Sequence, residues 1–420
     1  MKLLTVLNRL QKLHPKAIDL SLDRIINLCK KLGNPQKILK CISIVGTNGK
    51  YSTIQAIRAI LKEANINVNI YSSPHIQKIN ERFIFNDEEI SDKNLASLLT
   101  EVEEVNSGEP ITYFEILTAA YFHHAKNFEN INLIESGLFH RFDATNIIKE
   151  NLASIISPIG LDHLDWLPHN ERTIEKIIYE KTSSLLNSNI IIAKQPTKKT
   201  LNIIKKNISS NTSKKIIFSE QFSCFESENG FIYYEDEIGR LKLTKPNLVG
   251  EFQIENIATA IATIRNLNFQ IEDEHIKKGI TKIKSIARLQ EIKNGKIKDL
   301  CKKNKIFVDG SHNPLGSKVL NKYLESLNCN KHIILGMMDN KDHNGYMNYF
   351  KNITSLTTVD IPNQPNAIKG KDLKKKLNKF PKINYKESIY DAIKSITVSN
   401  NDIILITGSL YLAGEVLNLN

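Results

Sequence analysis

The sequence predicts an α/β protein of two domains, a larger one built on a parallel sheet covered by helices and a smaller doubly wound one. Three observations carry that prediction. Short apolar runs at 42–45, 68–71, 131–135, 153–157 and 190–194 have the length of buried strands and are separated by stretches of helical period, as in a parallel sheet with helices on its faces. Residues 42–54, ISIVGTNGKYSTI, pass from such a run through Gly46, a polar turn, Gly49 and Lys50 into the hydroxyls of Ser52 and Thr53 and a helical pattern. The alternation then begins afresh, after a connecting stretch at 281–290, with KIFVDG, HIILGM, LTTVDI and DIILITG as four further strands.

Between these two series the pattern changes. Between 208 and 245 the chain breaks into shorter β-type pieces with turn residues, IIFSEQFSCFESENGFIYYEDEIGRLKL, a small antiparallel excursion, and 255–267, ENIATAIATIRNL, returns to a helix. A boundary near 284 divides a triphosphate-binding domain, 1–284, from a doubly wound domain, 285–420. No internal repeat or long low-complexity segment interrupts the order.

Composition narrows the partners. With 420 residues, 41% hydrophobic and 24% charged, the chain can bury sizeable cores. Asn8, Arg9, Gln11, Lys12 and Lys16 interrupt any secretory core near the N-terminus, and no run is long enough to span a bilayer, so a cytoplasmic location is expected. Cysteines at 29, 41, 224, 301 and 329 form no CxxC pair and fit reduced thiols. The net charge of +12 comes from lysines scattered along the chain, and clusters such as 369–376 lack interleaved aromatics. That pattern favours anionic small molecules over nucleic acid as partners.

The candidate chemistry sits after predicted strands, where α/β sheets place ligands. In the glycine loop, backbone N–H groups and the helix start attract phosphate oxygens, and Lys50 adds charge where a γ-phosphate sits. Its spelling is unusual: two residues separate Gly46 from Gly49, and Tyr51 follows Lys50. SSPH at 72–75 offers a hydroxyl or a plain turn. Glu135 ends a strand and is followed by Gly137, Arg141, Asp143, Thr145 and Asn146, a carboxylate for Mg²⁺ and a polar loop for a planar substrate. Asp162, His163 and Asp165 follow the next strand as a mixed metal site or an ordinary loop. Lys181 is a surface lysine unless it serves an anion or reacts with carbon dioxide to become a carbamate. In the second domain Asp309, His312, Asn313, the GMMDNKD segment and GSLYLAGEV fit either ligand contacts or helix caps.

Taken in order, IDLSLDRI at 18–25, GTNGK, SSPH with NERF, TYFEILT at 112–118, ESGLFHRFDATNI, GLDHLDWL, the pair Glu180 and Lys181, LVGEFQIENIATA at 248–260, ARLQ at 287–290, DGSHNP and GSLYLAGEV resemble the folylpolyglutamate synthase and dihydrofolate synthase family of the Mur ligase superfamily. The likeness covers nearly the whole chain. It implies a P-loop ATP-binding domain of the Mur type followed by a Rossmann-like α/β domain. It also implies an ATP- and Mg²⁺-dependent acid–amino-acid ligase, a monomer, joining L-glutamate to dihydropteroate, or extending tetrahydrofolate, through an acyl phosphate. By motif, Ser73, Glu135 and His163 match the magnesium ligands, Lys50, His163 and Lys181 the catalytic groups, and Lys181 the carbamylated lysine. Asn48, Gly49, Lys50 and Ser52 match triphosphate contacts, with Asn256, Arg288 and Asp309 completing the nucleotide site. Asp19, Thr112 and Asp143 fall where the pterin is held, and His312 and Ser409 match the glutamate or closed-state site.

Four departures from the family pattern bear on these roles. Tyr51 replaces a usual glycine, Phe139 and His140 replace two glycines, Ala287 replaces the glycine of GRLQ, and Phe252 stands where a histidine is common. The alternatives are a superfamily ligase for another carboxylate, a nucleic-acid-linked P-loop NTPase and a non-catalytic folate binder.

Overall fold

The computed structural model describes residues 2–16, 19–148, 150–185, 188–267, 269–377, 380 and 382–420, so Ile18 of the IDLSLDRI motif lies outside the described residues. The chain divides into two compact units. The first comprises Met1–Ile159, Thr173–Asn247 and Glu255–Ile283, the second Gly160–Arg172, Leu248–Ile254 and Lys284–Asn420.

In the first unit eight strands form one sheet: β1 (Lys40–Val45), β2 (Val68–Tyr71), β3 (Phe83–Phe85), β4 (Glu88–Glu89), β5 (Ile131–Glu135), β6 (Asn151–Ile156), β7 (Asn189–Ile192) and β8 (Lys215–Ile217). Their order is β4-β3-β2-β5-β1-β6-β7-β8, parallel except for the pairings of β3. Central strands read as unbroken apolar runs because helices cover both faces. Two asparagines inside them are exceptions with a reason. Buried Asn69 on β2 donates to Asn132 on β5 at 3.2 Å, and the Tyr121 hydroxyl donates to the same oxygen at 2.9 Å. Satisfied in this way, the amides carry no desolvation penalty.

Register decides where the site lies. Ile44 pairs with Glu135, Val45 with Ile156 and Tyr71 with Ile134, so β2, β5, β1 and β6 end level with one another. Ser73, Glu135, Gly46 and Ser157 therefore stand along one edge of the sheet, at the strands' carboxyl ends. The antiparallel excursion is the three-stranded meander of β9 (Phe222–Glu226), β10 (Ile232–Asp236) and β11 (Gly239–Leu243). Its alternation is clean: Phe222, Ile232, Tyr234, Leu241 and Leu243 are buried, whereas Phe225, Arg240 and Lys242 face out.

The second unit carries β12 (Gln290–Ile292), β13 (Lys305–Val308), β14 (Lys331–Leu335), β15 (Ser355–Val359), β16 (Ile383–Lys386) and β17 (Ile403–Thr407). Their order is β12-β13-β17-β14-β15-β16, parallel except for β12 against β13. The four strands expected here are present. Strands β12 and β16 were not expected, being short edge strands whose sequences, QEI and INYK, carry no continuous apolar run. Among the described residues, no helix is long and apolar enough to cross a membrane.

Candidate active site

The loop after β1 is shaped by two glycines. Gly46 has φ +142°, and a Cβ there would meet the Ser157 hydroxyl oxygen at 2.0 Å and its carbonyl oxygen at 2.8 Å. Gly49 has φ +83°, and a Cβ there would lie 2.6 Å from the Asn256 amide oxygen. Only glycine fits either position. The N–H groups of Thr47 and Asn48 are drawn onto the Pro158 carbonyl, at 3.0 and 3.1 Å, which pins the loop to the strand beside it. Helix Lys50–Glu63 follows, its first intrahelical bond running from Thr53 to the Gly49 carbonyl at 2.9 Å. The opening N–H groups of such a helix have no acceptor within it and suit an anion. Tyr51 is the second residue of this helix and half-buried, so the family's glycine is not required for the backbone. Ser52 is buried in the same turn.

Three of the predicted residues converge beside this loop. Lys50 reaches back so that its ammonium lies 3.4 Å from the carbonyls of Gly46 and Thr47 and 3.6 Å from Glu135 Oε1. Glu135 is buried at the end of β5, and its other oxygen accepts the Ser73 N–H at 3.2 Å. A cation beside a phosphate loop, with a buried carboxylate next to it, is what a metal-bound triphosphate needs. The oxygen donors of Glu135 and Ser73 suit Mg²⁺, which keeps several waters and takes few protein ligands. Among the described residues no group of three or more His, Cys, Asp or Glu side chains is placed to hold a metal by itself. Ser73 and Glu135 belong to the first unit and His163 to the second.

Lys181 sits in the last turn of helix Ile174–Thr182 and is no surface lysine, for it is 3% exposed. Its ammonium donates to the Leu138 carbonyl at 2.8 Å and lies 5.6 Å from the centre of the Phe139 ring. The loop after β5 is docked onto the same helix: the N–H groups of His140 and Arg141 donate to the Glu180 carbonyl at 3.1 and 3.0 Å. Arg141 also forks onto the Glu180 carboxylate with two bonds of 2.8 Å. Asp143 is committed to its own loop, accepting from Gly137 N at 2.9 Å, Thr145 N at 3.0 Å and the Thr145 hydroxyl. Burial raises its pKa in spite of those bonds. Neither Phe139 nor His140 has a positive φ, which is why two glycines can be dispensed with here.

Asp19 and Thr112, 93 residues apart in sequence, belong to one network. Thr112 caps helix Tyr113–Ala125, accepting from Glu115 N at 3.3 Å, while Glu115 accepts from Thr112 N at 2.8 Å. The same buried carboxylate receives Arg24 through two bonds, of 3.0 and 3.1 Å, and Arg24 in turn holds the Asp19 carboxylate at 3.0 Å. Sequence reasoning missed Arg24 and Glu115. The signal was present in the T-x-x-E spelling of a capping box at 112–115.

In the second unit Asp309, at the end of β13, accepts from Leu289 N at 2.7 Å and Ser311 N at 2.8 Å. Burial raises its pKa against the opposing charge of Arg288. Arg288 is flanked by two residues in left-handed backbone, Ala287 at φ +52° and Leu289 at φ +48°, so the family's glycine before this arginine has a conformational reason. Asp162 is the hub of a separate cluster. It receives Lys341 at 2.7 Å and Asn313 at 3.0 Å and lies 3.4 Å from His312 and 3.9 Å from His163. Burial would push this carboxyl up, but His163, His312 and Lys341 outweigh it and hold it well below the usual carboxylate range. Lys341 was not anticipated as a partner. Ser409 caps helix Leu410–Leu419 by accepting from Tyr411 N.

Residues 288–410 match the family described as Mur ligase, glutamate ligase domain. The chain is 28% identical to a dihydrofolate synthase/folylpolyglutamate synthase of Haemophilus influenzae, over 97% of this chain and 95% of that protein. It is 29% identical to the protein of the same name from Bacillus subtilis, over 94% of each. Among solved structures, Escherichia coli FolC in complex with DHPP and ADP aligns with a TM-score of 0.86 at 24% identity, covering 100% of this chain and 97% of that one, a likeness of fold. The phosphate loop and the buried carboxylate stand in the first unit, and the second unit carries the match to the Mur ligase, glutamate ligase domain. Over nearly its whole length the chain is similar to proteins named dihydrofolate synthase/folylpolyglutamate synthase.

Proposed function

We propose that this chain is an ATP-dependent ligase that joins L-glutamate to dihydropteroate, and also to reduced folates, through an acyl phosphate. One observation carries the reading above the others: the Lys50 ammonium stands between the carbonyls of the Gly46 loop and the buried Glu135 carboxylate, at 3.4 and 3.6 Å. A carboxylate is a poor electrophile until one oxygen leaves as phosphate. In the proposed reaction an acceptor carboxylate oxygen attacks the γ-phosphorus of ATP and ADP departs. The glutamate amine then attacks the acyl carbon and expels phosphate. Both reactants of the first step are anions, so the site must concentrate positive charge.

Lys50 supplies part of that charge, and the helix start behind Gly49 orients the phosphates. Glu135, Ser73 and His163 would hold Mg²⁺, which neutralises phosphate charge when bound. Asn48, Gly49, Ser52, Asn256, Arg288 and Asp309 are assigned to the nucleotide, Asp19, Thr112 and Asp143 to the pterin, and His312 and Ser409 to glutamate. Lys181 is assigned a carbamate, an anion in place of a buried ammonium. The test is product formation. Purified protein with Mg²⁺, ATP and glutamate should release ADP at a rate that rises with dihydropteroate or tetrahydrofolate, and mass spectrometry should find the acceptor heavier by one glutamyl residue. ADP release indifferent to both acceptors would overturn the reading. Competing the two acceptors in one tube reports whether one or both reactions are catalysed.

A further inference from the structure

Of the arginines in the first unit, Arg9, Arg24, Arg58, Arg141, Arg240 and Arg265 each end on a carboxylate. Arg82 ends on an imidazole. Its Nε–H donates to His75 Nδ1 at 3.0 Å, and among the described residues its terminal nitrogens have no hydrogen bond or ion pair. Arginine can only donate, so Nδ1 is the bare nitrogen of the ring and His75 is neutral. The half-buried guanidinium therefore keeps an uncompensated charge, which burial makes costly until an anion meets it. A carboxylate can bridge Nε and one terminal nitrogen, or the two terminal nitrogens. With Nε taken by His75, the terminal fork is what remains.

The loop that carries both residues is fixed at the edge of the site. Glu81 accepts the N–H groups of Ile76, Gln77 and Lys78 at 2.7, 2.9 and 3.0 Å, the Arg82 carbonyl accepts Ser72 N–H at 3.3 Å, and Ser73 N–H is held by Glu135. Strand β3 runs antiparallel to β2, with Tyr71 opposite Phe83, which brings the start of β3 to the carboxyl edge of the sheet. Along that edge stand the phosphate loop after β1, Glu135 on β5, Ser73 after β2, and Arg82 just before β3. Neighbouring strands lie about 4.8 Å apart, so the Arg82 backbone is about 14 Å from the end of β1, on the far side of Glu135. Its charge is felt among the residues assigned to the pterin. Burial raises the hydroxyls of Tyr71 and of Tyr113, which follows Thr112; Arg82 opposes the rise at both, and Asp143 adds to it at Tyr71.

We propose that Arg82 takes the reacting carboxylate of the acceptor on its terminal nitrogens, with His75 as the positioning residue that aims the fork. The proposal rests on the ligase reading given above. In-line transfer places the attacking oxygen opposite the departing ADP. ADP stays with the phosphate loop, so the acceptor must approach from the side where Arg82 stands. One carboxylate oxygen attacks the γ-phosphorus while the other keeps its bond to the fork. That second oxygen becomes the acyl carbonyl, and the same N–H groups polarise it when the glutamate amine attacks the carbon.

The test compares dihydropteroate with its uncharged carboxamide, by equilibrium binding to the full chain with Mg²⁺ and ADP. Wild type should bind the carboxylate about 10-fold to 100-fold more tightly, the worth of a charge-assisted bidentate contact. Arg82→Ala should bind the two alike, and its affinity for the carboxamide should match wild type, which shows the fold intact. Arg82→Lys keeps the charge without the fork and should recover only part of the preference. His75→Phe should lose most of the preference, and His75→Gln, whose amide oxygen accepts from Nε, should recover it. In turnover, Arg82→Ala should raise the KM for dihydropteroate about tenfold or more and leave the KM for ATP within about twofold. Equal binding of carboxylate and carboxamide by wild type, a preference that survives Arg82→Ala, or a loss confined to the KM for ATP overturns the role of Arg82 and leaves the ligase reading to its own test by ADP release. A preference unchanged in His75→Phe overturns the role of His75. Wild type that binds neither compound overturns both the proposal and the reading beneath it.

Discussion

At the scale of single residues, the phosphate loop separates positions that need glycine from positions that only usually have it. Gly46 combines a φ of +142° with a Cβ position 2.0 Å from the Ser157 hydroxyl oxygen, so Gly46→Ala must move either the loop or the strand beside it. The strain is of order 1–3 kcal/mol. The larger effect falls on activity, since displacing the phosphates by about 1 Å costs roughly 100-fold. We expect Gly46→Ala to fold but to lose about 100-fold or more in kcat, measured by coupled ADP release. Tyr51 makes the contrast. It sits in helical backbone, and Tyr51→Gly should keep turnover while lowering stability by about 1 kcal/mol for the helix cost of glycine, plus the loss of its half-buried ring. Thus the unusual spelling of the loop was legible as a departure, but the helical backbone that admits Tyr51 was not. Whether a backbone is helical or left-handed at one residue is decided by what the neighbouring strands and helices hold in place.

At the scale of elements, the capping box that starts helix Tyr113–Ala125 also anchors the chain near its N-terminus. Glu115 serves Thr112 and Arg24 at once, and Arg24 passes the constraint to Asp19. Arg24→Ala leaves a 3%-exposed carboxylate with part of its bonding, which should cost roughly 2–3 kcal/mol in urea unfolding. If Asp19 serves the pterin, the same change raises the KM for dihydropteroate or tetrahydrofolate well above any change in the KM for ATP. Arg24→Lys should restore little, because a point charge cannot reproduce the fork. Equal effects on both KM values would show that Arg24 supports the fold alone. The elements themselves were largely readable. β1, β2, β5, β6 and β7, and β13, β14, β15 and β17, appear where unbroken apolar runs announce buried parallel strands. The short edge strands β12 and β16 were not readable, because a strand with one open side needs no such run. Nor was the Asp162 cluster, whose Lys341 lies 179 residues away and meets the carboxylate only once the second unit has folded.

At the scale of the whole molecule, the net charge of +12 poses the remaining choice between an enzyme of small anions and a binder of nucleic acid. Counterion release makes the two distinguishable. A protein that neutralises several phosphates of a polymer loses about 10³–10⁵ in affinity between roughly 50 and 200 mM salt. That requires cations gathered on one face and free to meet phosphate. Here lysines are dispersed and commonly paired with carboxylates: Lys31 with Glu109, Lys194 with Glu255 and Lys282 with Glu63 in the first unit, Lys322 with Glu251 and Lys376 with Asp339 in the second. Such exposed pairs add little stability, but they spend the positive field locally. What remains draws ATP, glutamate and a carboxylated pterin toward the protein as small anions, with a modest dependence on screening. We therefore expect kcat/KM for the acceptor to fall by less than about tenfold between 50 and 200 mM salt. Single- or double-stranded DNA or RNA should leave ADP release unchanged, while dihydropteroate or tetrahydrofolate raises it. A steep salt dependence together with stimulation by polynucleotide would assign the charge to a polymer and displace the ligase reading.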